Sequence, residues 1–365
     1  MTVRPLRVVA DGFALSDGSQ LRGIGTVLEH ILEGLGPDPR FDVTALVLPD
    51  ARLPEGTSKA TITRHNLRPR LADIEHEMLL PHDLRKLQTD VVWSPGTHPP
   101  RRVHAPLVQT IHDLTPLYWP DPTLAHEARR WRRSARRIRD AACVVADSRS
   151  SADQAIEFLD VSPSRVEVVP LGVDPRFRPR DHAQPDPPYV LYVGAWGPHK
   201  GMAEALAVVD ALAELGYPHR LSMAGPGDAW MRARVAAHVA ACQHPDRVDL
   251  RFWVDDLVPL YQGASALAFT SRAEGFGLPI VEAMACGTPV VAFANTSIPE
   301  VAGDAAVLVN DGDVAALVAA VRDVLDNDAR AAELRAAGQA RAAAFGWDKT
   351  VDAYADIFLA AGRRS

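Results

Sequence analysis

The residues best suited to chemistry are two glutamates, Glu274 and Glu282, which stand eight positions apart in the sequence. The apolar run 264–269 before them predicts a buried strand, and Pro279 predicts the start of a helix. A helix N-terminus binds anions because it exposes unpaired N–H groups and the positive end of the helix dipole. The spacing therefore predicts a sugar-nucleotide site, in which a diphosphate binds at the helix N-terminus.

A turn with two glycines joins the glutamates, and it predicts close approach of the backbone to a ligand because glycine has no Cβ. Glu282, about one turn into the helix, is expected to accept hydrogen bonds from ribose hydroxyls, and Glu274 is expected to face the sugar. As isolated residues the two glutamates would more simply be a helix-terminal charge and a solvated loop acid. The residues of the turn are Gly275, Phe276, Gly277 and Leu278.

A cation follows a second apolar run, residues 189–193, which predicts a strand. The run leads through Gly194 to Lys200, one of four lysines in the chain. A strand, a glycine loop and a cation suit a diphosphate leaving group. The reason is that a fixed positive charge favours the negative charge that grows on the phosphate as the bond to the sugar breaks. An exposed lysine is the simpler interpretation of Lys200, but its position after a glycine loop favours the phosphate role.

The order of five motifs along the chain strongly resembles that of the retaining, nucleotide-sugar-dependent glycosyltransferases of family 4. The resemblance covers nearly the whole chain. It implies the GT-B fold, in which two Rossmann-like, doubly wound α/β domains face each other across a cleft. The motifs are Ile111–Leu114, Pro170–Asp174, Glu274–Glu282, Cys286–Val290 and Ile298–Gly303.

The resemblance also implies roles for residues outside the glutamate pair. His112 is expected to line the sugar pocket, although a buried structural histidine is the commoner case for one taken at random. Gly23 and Gly25 match the family's N-terminal glycine loop, while Gly-x-Gly alone is more often simple turn chemistry. Trp253 and Val254 fall where relatives hold the nucleobase, and an apolar residue there is equally often part of the core.

The chain departs from the family pattern in the loop that precedes Lys200, where members usually carry an arginine as well. Ala195 and His199 occupy the two places at which that arginine is usual. We therefore expect His199 or Arg272 to compensate the second phosphate charge.

The expected reaction moves a hexose from a nucleoside diphosphate sugar to a hydroxyl of a sugar, a lipid-linked sugar or a small natural product. Retention by double displacement needs a carboxylate nucleophile. The resemblance implies instead front-face substitution, in which the departing diphosphate helps to deprotonate the acceptor. The expected catalytic residues are His112, Lys200 and Glu274.

GDP-mannose is slightly favoured over UDP-sugars by the same resemblance, and neither a cofactor nor a divalent metal is expected. Two alternatives stay open. One is a sugar-nucleotide hydrolase or epimerase on the same fold, and the other is a sugar-nucleotide-binding protein without catalytic activity.

The elements that must position these residues form a β/α pattern, since short apolar runs alternate with helical stretches. The chain has 365 residues, more than one hydrophobic core usually fills. We predict an N-terminal acceptor domain over 1–175, a linker over the proline-rich segment 176–188 and a C-terminal donor domain over 189–346. The amphipathic segment 347–365 is expected to complete the N-terminal domain.

The composition is that of a soluble globular protein. The net charge is −7, whereas nucleic-acid binding needs a basic surface, so nucleic acid is not an expected partner. No apolar run is long enough to span a bilayer and no leader-like segment opens the chain, so a cytoplasmic location is expected. The three cysteines are widely spaced and indicate neither a disulfide framework nor a metal site.

A block of arginines interrupts this acidic composition. The segment Arg129–Arg139 carries seven arginines and no acid. Such a segment can bind anionic phospholipid headgroups or an acceptor linked to polyprenyl phosphate. A solvated helix face is an equally good interpretation, so contact with the inner face of the membrane is one of two open predictions.

Overall fold

The computed structural model describes residues 4–15, 23–49, 51–61, 80–97, 99–179, 185–227 and 229–363. The chain forms two compact units, one from Met1–Gly172 with Trp347–Ser365 and the other from Val173–Gly346. Residues 176–179 and 185–188 of the predicted linker are part of the second unit. Residues 180–184 of that linker, and 1–3 and 364–365 at the ends of the predicted domains, lie outside the described residues.

The first unit contains a parallel sheet of seven strands in the order β3-β2-β1-β4-β5-β6-β7. Strands β4 and β5 are buried along their whole length, as expected for a sheet with helices on both faces. The strands are β1 Leu6–Asp11, β2 Phe41–Val47, β3 Ser58–Thr61, β4 Val91–Ser94, β5 Leu107–Ile111, β6 Cys143–Ala146 and β7 Val166–Val168.

Helices of the first unit include the C-terminal helix of the chain, α13. Its Tyr354 hydroxyl lies 2.9 Å from the Thr110 hydroxyl, which in turn accepts a 2.9 Å hydrogen bond from the Trp93 indole. This buried chain of hydrogen bonds joins α13 to β5 and β4. The helices are α1 Gly23–Leu35, α2 (described over 80–86), α3 Thr115–Tyr118, α4 Ala125–Arg139, α5 Arg149–Leu159 and α13 Trp347–Gly362.

The second unit contains a parallel sheet of six strands in the order β10-β9-β8-β11-β12-β13. Its strands are β8 Tyr189–Val193, β9 Arg220–Ala224, β10 Val248–Arg251, β11 Ala266–Phe269, β12 Val290–Ala294 and β13 Val307–Asn310. Its helices are α6 Met202–Glu214, α7 Ala229–Ala240, α8 Val258–Gly263, α9 Leu278–Ala285, α10 Ile298–Ala302, α11 Val314–Asp326 and α12 Asp328–Ala342.

Both sheets have the strand order of a doubly wound fold, which confirms the predicted α/β class with two Rossmann-like units. The order reverses between β1 and β4 in the first unit and between β8 and β11 in the second. Ligands of such sheets bind beyond the carboxyl ends of the strands at this point. The loops after β8 and β11 are therefore the natural ligand site of the second unit.

Candidate functional site

Lys200 and Glu274, predicted to contact the phosphate and the sugar, form an ion pair with each other. The Lys200 Nζ atom lies 2.8 Å from Glu274 Oε1, and the side chains are only 18% and 15% exposed. They meet because the loops that carry them follow β8 and β11, which are neighbours in the sheet. The pair places one fixed positive and one negative charge at the point where the strand order reverses.

The backbone around Lys200 is held in place by a glycine and two hydroxyls. The Tyr192 and Thr270 hydroxyls donate to the Lys200 carbonyl at 3.2 and 3.3 Å. Gly201 has a φ of +66°, and a Cβ at this position would lie 1.9 Å from the Thr270 carbonyl oxygen. Glycine is therefore required here, because it lets the start of α6 pack directly on the end of β11.

The predicted turn between the glutamates lies at the N-terminus of α9, where Gly277 is the N-cap residue with a φ of +98°. The Glu274 N–H donates to the Thr296 hydroxyl at 3.0 Å. The Ser297 hydroxyl lies 3.1 and 3.0 Å from the carbonyl oxygens of Glu274 and Phe276. Thr296 and Ser297 follow β12, so residues after a third strand fix the turn. Within the turn, Gly275 is buried and Leu278 is half-buried.

Glu282 has a buried partner that the sequence did not indicate. The Tyr261 hydroxyl donates to Glu282 Oε2 at 2.7 Å, and the Tyr261 side chain is fully buried. Burial raises the pKa of Glu282 above its usual range, while the hydrogen bond from Tyr261 and the charge of Arg176 counteract part of that rise. Tyr261 lies on α8, and it turns one carboxylate oxygen inward.

The loop after β8 is anchored at both ends. The Gly194 N–H donates to the carbonyl of Ala224 at the end of β9, at 3.0 Å. The His199 carbonyl accepts from the Arg272 N–H at 2.8 Å, so the loops after β8 and β11 are joined. The Arg272 guanidinium pairs with Asp311 at 3.1 Å, so its charge is shared with a carboxylate. Which of His199 and Arg272 takes the place of the usual loop arginine stays a prediction.

Trp253 and Val254 lie apart from the Lys200–Glu274 pair. They follow β10, the edge strand of the sheet, which is two strand spacings, about 10 Å, from β8. The Trp253 side chain is 53% exposed, and its indole N–H donates to Asp255 at 2.7 Å. Asp256 accepts a 3.0 Å hydrogen bond from the Val258 N–H at the start of α8. The exposed indole fits the predicted nucleobase contact but does not test it.

His112 of the first unit also has a partner that sequence reasoning missed. Its Nδ1 atom lies 2.7 Å from Asp147 Oδ2, and Asp147 is 2% exposed. The two residues follow β5 and β6, which are paired strands. Burial of the ring lowers the pKa of His112, but the charge and hydrogen bond of Asp147, with the charge of Asp113, outweigh it and raise the pKa above its usual value.

The remaining nitrogen of His112 is a candidate contact for a ligand hydroxyl. Its buried Nε2 atom has no hydrogen-bond partner within the described residues. Because Asp147 fixes the ring, Nε2 has one orientation. The signal for Asp147 was present in the sequence, since it directly follows the apolar run Cys143–Ala146.

Gly23 and Gly25 lie in the first turn of α1, not in a loop before it. The N–H groups of a first helical turn have no acceptor within the helix. Gly25 is buried and Gly23 is exposed. The glycines therefore lie at a helix start, and their contact with a ligand stays a prediction.

The arginine block forms α4, which is held against the sheet by an apolar stripe that includes Trp131 and Ile138. Five of its seven arginines are exposed, and the other two, Arg130 and Arg137, are half-buried. Arg137 donates to the Pro99 carbonyl at 2.9 Å, and Arg139 pairs with Asp160 at 2.8 Å. The exposed arginines are Arg129, Arg132, Arg133, Arg136 and Arg139.

Among the described residues, no group of three or more histidine, cysteine, aspartate or glutamate side chains could hold a metal ion. In the same part of the chain, no helix is both long and apolar enough to cross a membrane.

Comparison with known families matches two models that together cover most of the chain. Residues 174–341 match the family described as glycosyl transferases group 1. Residues 21–177 match glycosyltransferase family 4. The junction between the matches falls close to the boundary of the two structural units.

Individual relatives agree with these matches. The chain is 28% identical over 303 residues to O-antigen chain mannosyltransferase B of Escherichia coli, covering 74% of this chain and 75% of the relative. It is 33% identical over 250 residues to D-inositol 3-phosphate glycosyltransferase 1 of Catenulispora acidiphila, covering 60% and 57%. Sucrose-phosphate synthase from Thermosynechococcus elongatus shares the fold, with a TM-score of 0.84 at 18% identity over 99% of this chain and 100% of that chain.

Proposed function

We propose that this chain, which belongs to the group 1 and family 4 glycosyltransferases, transfers a hexose with retention from a nucleoside diphosphate sugar to an acceptor hydroxyl. The observation that carries the proposal is the half-buried Lys200–Glu274 pair, 2.8 Å apart beside the N-terminus of α9. A site for a diphosphate sugar needs a cation for the phosphate and acceptors for the sugar hydroxyls. The second unit supplies both at the carboxyl ends of two neighbouring strands.

Each residue of the second unit has a proposed part. Lys200 and the N–H groups at the start of α9 stabilise the departing diphosphate, because both present positive charge that is already in place before reaction. Glu274 accepts from sugar hydroxyls, and its tie to Lys200 fixes its orientation. Glu282 accepts from the ribose. His112, on the first unit, contributes Nε2 to a sugar hydroxyl, as the family resemblance implies.

In this mechanism no side chain forms a covalent bond to the sugar. The diphosphate oxygen leaves on the same face on which the acceptor hydroxyl attacks, and it takes the acceptor proton. The enzyme supplies position and electrostatic stabilisation. No cofactor or divalent metal takes part in the proposed reaction.

The donor sugar is proposed as mannose carried on GDP, with a UDP-sugar as the second choice. The match to an E. coli protein named a mannosyltransferase supports mannose. The acceptor is proposed to be a hydroxyl of a sugar, a lipid-linked sugar or a small natural product. For a lipid-linked acceptor, the outward arginines of α4 would favour reaction at the anionic inner face of a membrane, with the enzyme in the cytoplasm.

The test combines donor binding with one matched pair of variants. Thermal unfolding with GDP, UDP, ADP, TDP and their common sugars should show selective stabilisation by one nucleotide, since ligand binding raises the apparent stability of the folded state. With that donor and an acceptor panel, Lys200→Ala should lower kcat at least ~100-fold. Lys349→Ala removes the same charge from an exposed position of α13 and should leave kcat within about twofold of the unaltered enzyme.

Three outcomes would contradict the proposal. Normal turnover by Lys200→Ala would remove the phosphate assignment. Release of free sugar from the donor without any transfer product would indicate a hydrolase. Tight donor binding without turnover across the panel would indicate a binding protein.

A further inference from the structure

The first unit has an arginine-lined cavity at the amino ends of its strands, whereas His112 lies at the carboxyl ends. The cavity has a volume of about 710 Å³ and lies at the amino ends of β5 and β6, where Leu107 and Ala142 form part of its wall. Five residues of β5 separate its amino end from His112, which amounts to about 16 Å. The polar residues that line the cavity are Arg101, Arg102, His104, Arg137, Asp140 and Arg165.

The charge of this lining is opposite to that of the whole chain. Four arginines face one carboxylate, that of Asp140, in a protein of net charge −7. Only one of these arginines, Arg137, belongs to the arginine block of α4. The others come from the loop before β5 and from the turn before β7, so three separate chain segments bring positive charge to one concave surface.

Two of the guanidinium groups donate hydrogen bonds to carbonyl and hydroxyl oxygens nearby. Arg137 donates to the Pro99 carbonyl at 2.9 Å and to the Ser134 hydroxyl at 3.1 Å. Arg165 donates to the carbonyl oxygens of Arg139 and Ala141 at 2.9 and 3.2 Å. A carbonyl or hydroxyl acceptor orients a guanidinium without cancelling its charge, and a guanidinium has five N–H donors. These contacts fix part of each side chain before a ligand binds, which lowers the entropic cost of binding.

A smaller cavity of about 260 Å³ adjoins the first, and His104 and Ala105 line both. Its wall includes the buried side chains of Leu84 and Val92. A ligand that spans both cavities would thus meet arginines at one end and a partly apolar surface at the other. A free inorganic anion would use only the first.

We propose that these joined cavities bind an organic phosphate ester, with the phosphate among Arg101, Arg102, Arg137 and Arg165. Planar guanidinium groups match phosphate oxygens in pairs, and several converging arginines are the usual means of binding a phosphate monoester or diester. The cavity lies at the amino ends of the strands, whereas His112 and the proposed donor site lie at carboxyl ends. This ligand therefore does not contact the reacting atoms. The site anchors or regulates the enzyme, and it is independent of the proposed reaction.

The phosphate ester has two possible sources, a soluble metabolite or a phospholipid headgroup, and two probes separate them. Glycerol 3-phosphate, titrated by calorimetry across the millimolar range, reports on a soluble ester. Sedimentation with vesicles of phosphatidylglycerol in phosphatidylcholine, against phosphatidylcholine alone, reports on a headgroup. Binding of either probe supports a phosphate site, and the probe that binds identifies the source.

A matched pair of double variants assigns the binding to the cavity. Arg101→Gln with Arg102→Gln should raise the dissociation constant at least roughly tenfold, because it removes two of the charges that face the phosphate. For glycerol 3-phosphate, Arg129→Gln with Arg132→Gln removes the same charge from the exposed face of α4 and should change the dissociation constant by less than about twofold. Arg102→Glu alone provides a second test and should abolish binding.

The proposal fails if the unaltered protein binds neither probe, or if both double variants weaken binding equally, since either result would leave only non-specific attraction. Loss of vesicle binding in the α4 variant alone, with no binding of glycerol 3-phosphate to the unaltered protein, would also overturn it and would assign the membrane contact to α4. Lys200→Ala should leave binding of both probes unchanged. Failure of the donor site and failure of this site are therefore distinguishable.

Discussion

Single residues of the candidate site are held by buried partners, and Tyr261 is the clearest case. Its hydroxyl donates to Glu282 at 2.7 Å, and this hydrogen bond counteracts part of the rise in the pKa of Glu282 that burial causes. Tyr261→Phe should raise the dissociation constant of the donor roughly tenfold, because a hydrogen bond to a charged group contributes about 1.5–3 kcal/mol. It should leave kcat nearly unchanged, since the ribose contact is the same in the ground state and the transition state. Donor titration and steady-state kinetics test both statements.

Tyr189→Phe is the matched control for that variant. The Tyr189 hydroxyl also donates a 2.7 Å hydrogen bond, but its acceptor is the Leu260 carbonyl and not a site carboxylate. Removing the Tyr189 hydroxyl should lower the free energy of unfolding without weakening donor binding. Equal loss of affinity in the two variants would show that Tyr261 acts through general packing.

The His112–Asp147 pair predicts a pH dependence of stability. A histidine whose pKa is raised on folding stabilises the folded state fully below its unfolded pKa of about 6.5, and this contribution is lost as the pH rises through the folded value. In Asp147→Asn the burial of the ring dominates, so the pKa of His112 falls. The difference in unfolding temperature between the unaltered protein and this variant should therefore be largest at acid pH and shrink as the pH rises.

Thermal unfolding from about pH 5 to about pH 9, with an NMR titration of His112, measures this effect. Asp113→Asn is the control, because Asp113 makes the smallest contribution to the shift and is exposed. A temperature difference that is the same at every pH would refute the proposed coupling.

At the scale of elements, the two glycines that flank α6 have similar backbone angles but different surroundings. Gly201 before the helix has a φ of +66°, and a Cβ there would lie 1.9 Å from the Thr270 carbonyl oxygen. Gly216 after the helix has a φ of +82°, with open space around a Cβ. Gly216→Ala should cost about 1 kcal/mol for the left-handed backbone alone.

Gly201→Ala should cost about 3 kcal/mol or more, because α6 must move away from β11. It should also lower kcat, since Lys200 precedes the displaced residue directly. Urea unfolding of the two variants, with activity measured on the folded fraction, tests this. Equal stability of the two variants would mean that the approach of α6 to β11 is not constrained by Gly201.

The elements show how much the sequence could predict. The buried strands were recognisable because parallel strands covered on both faces are continuous apolar runs, as in Ala266–Phe269. Strand β3, Ser58–Thr61, was missed because it lies at the edge of its sheet and has no apolar run. Side-chain partners such as Tyr261 and Asp147 could not be paired from the sequence, since their distances depend on which strands and helices become neighbours.

At the scale of the whole molecule, the order of the elements along the chain does not match their division between the two units. Helix α13 ends the chain, yet it packs in the first unit, where Phe358 is fully buried beside Trp93 with ring centroids 5.8 Å apart. The core of the second unit has a matching aromatic residue, Phe293 on β12, which is also fully buried. The two phenylalanines therefore allow each unit to be destabilised separately.

Phe358→Ala should destabilise the first unit by about 3–5 kcal/mol, because it leaves a cavity between α13 and β4. Hydrogen exchange should accelerate in β4 and β5, while the strands of the second unit stay protected and a nucleoside diphosphate still binds. Phe293→Ala should give the reverse pattern, with loss of nucleotide binding and retained protection in the first unit. Accelerated exchange throughout both units in either variant would show that the two units unfold as one. In that case the helix that ends the chain would control the stability of the donor site as well as that of its own unit.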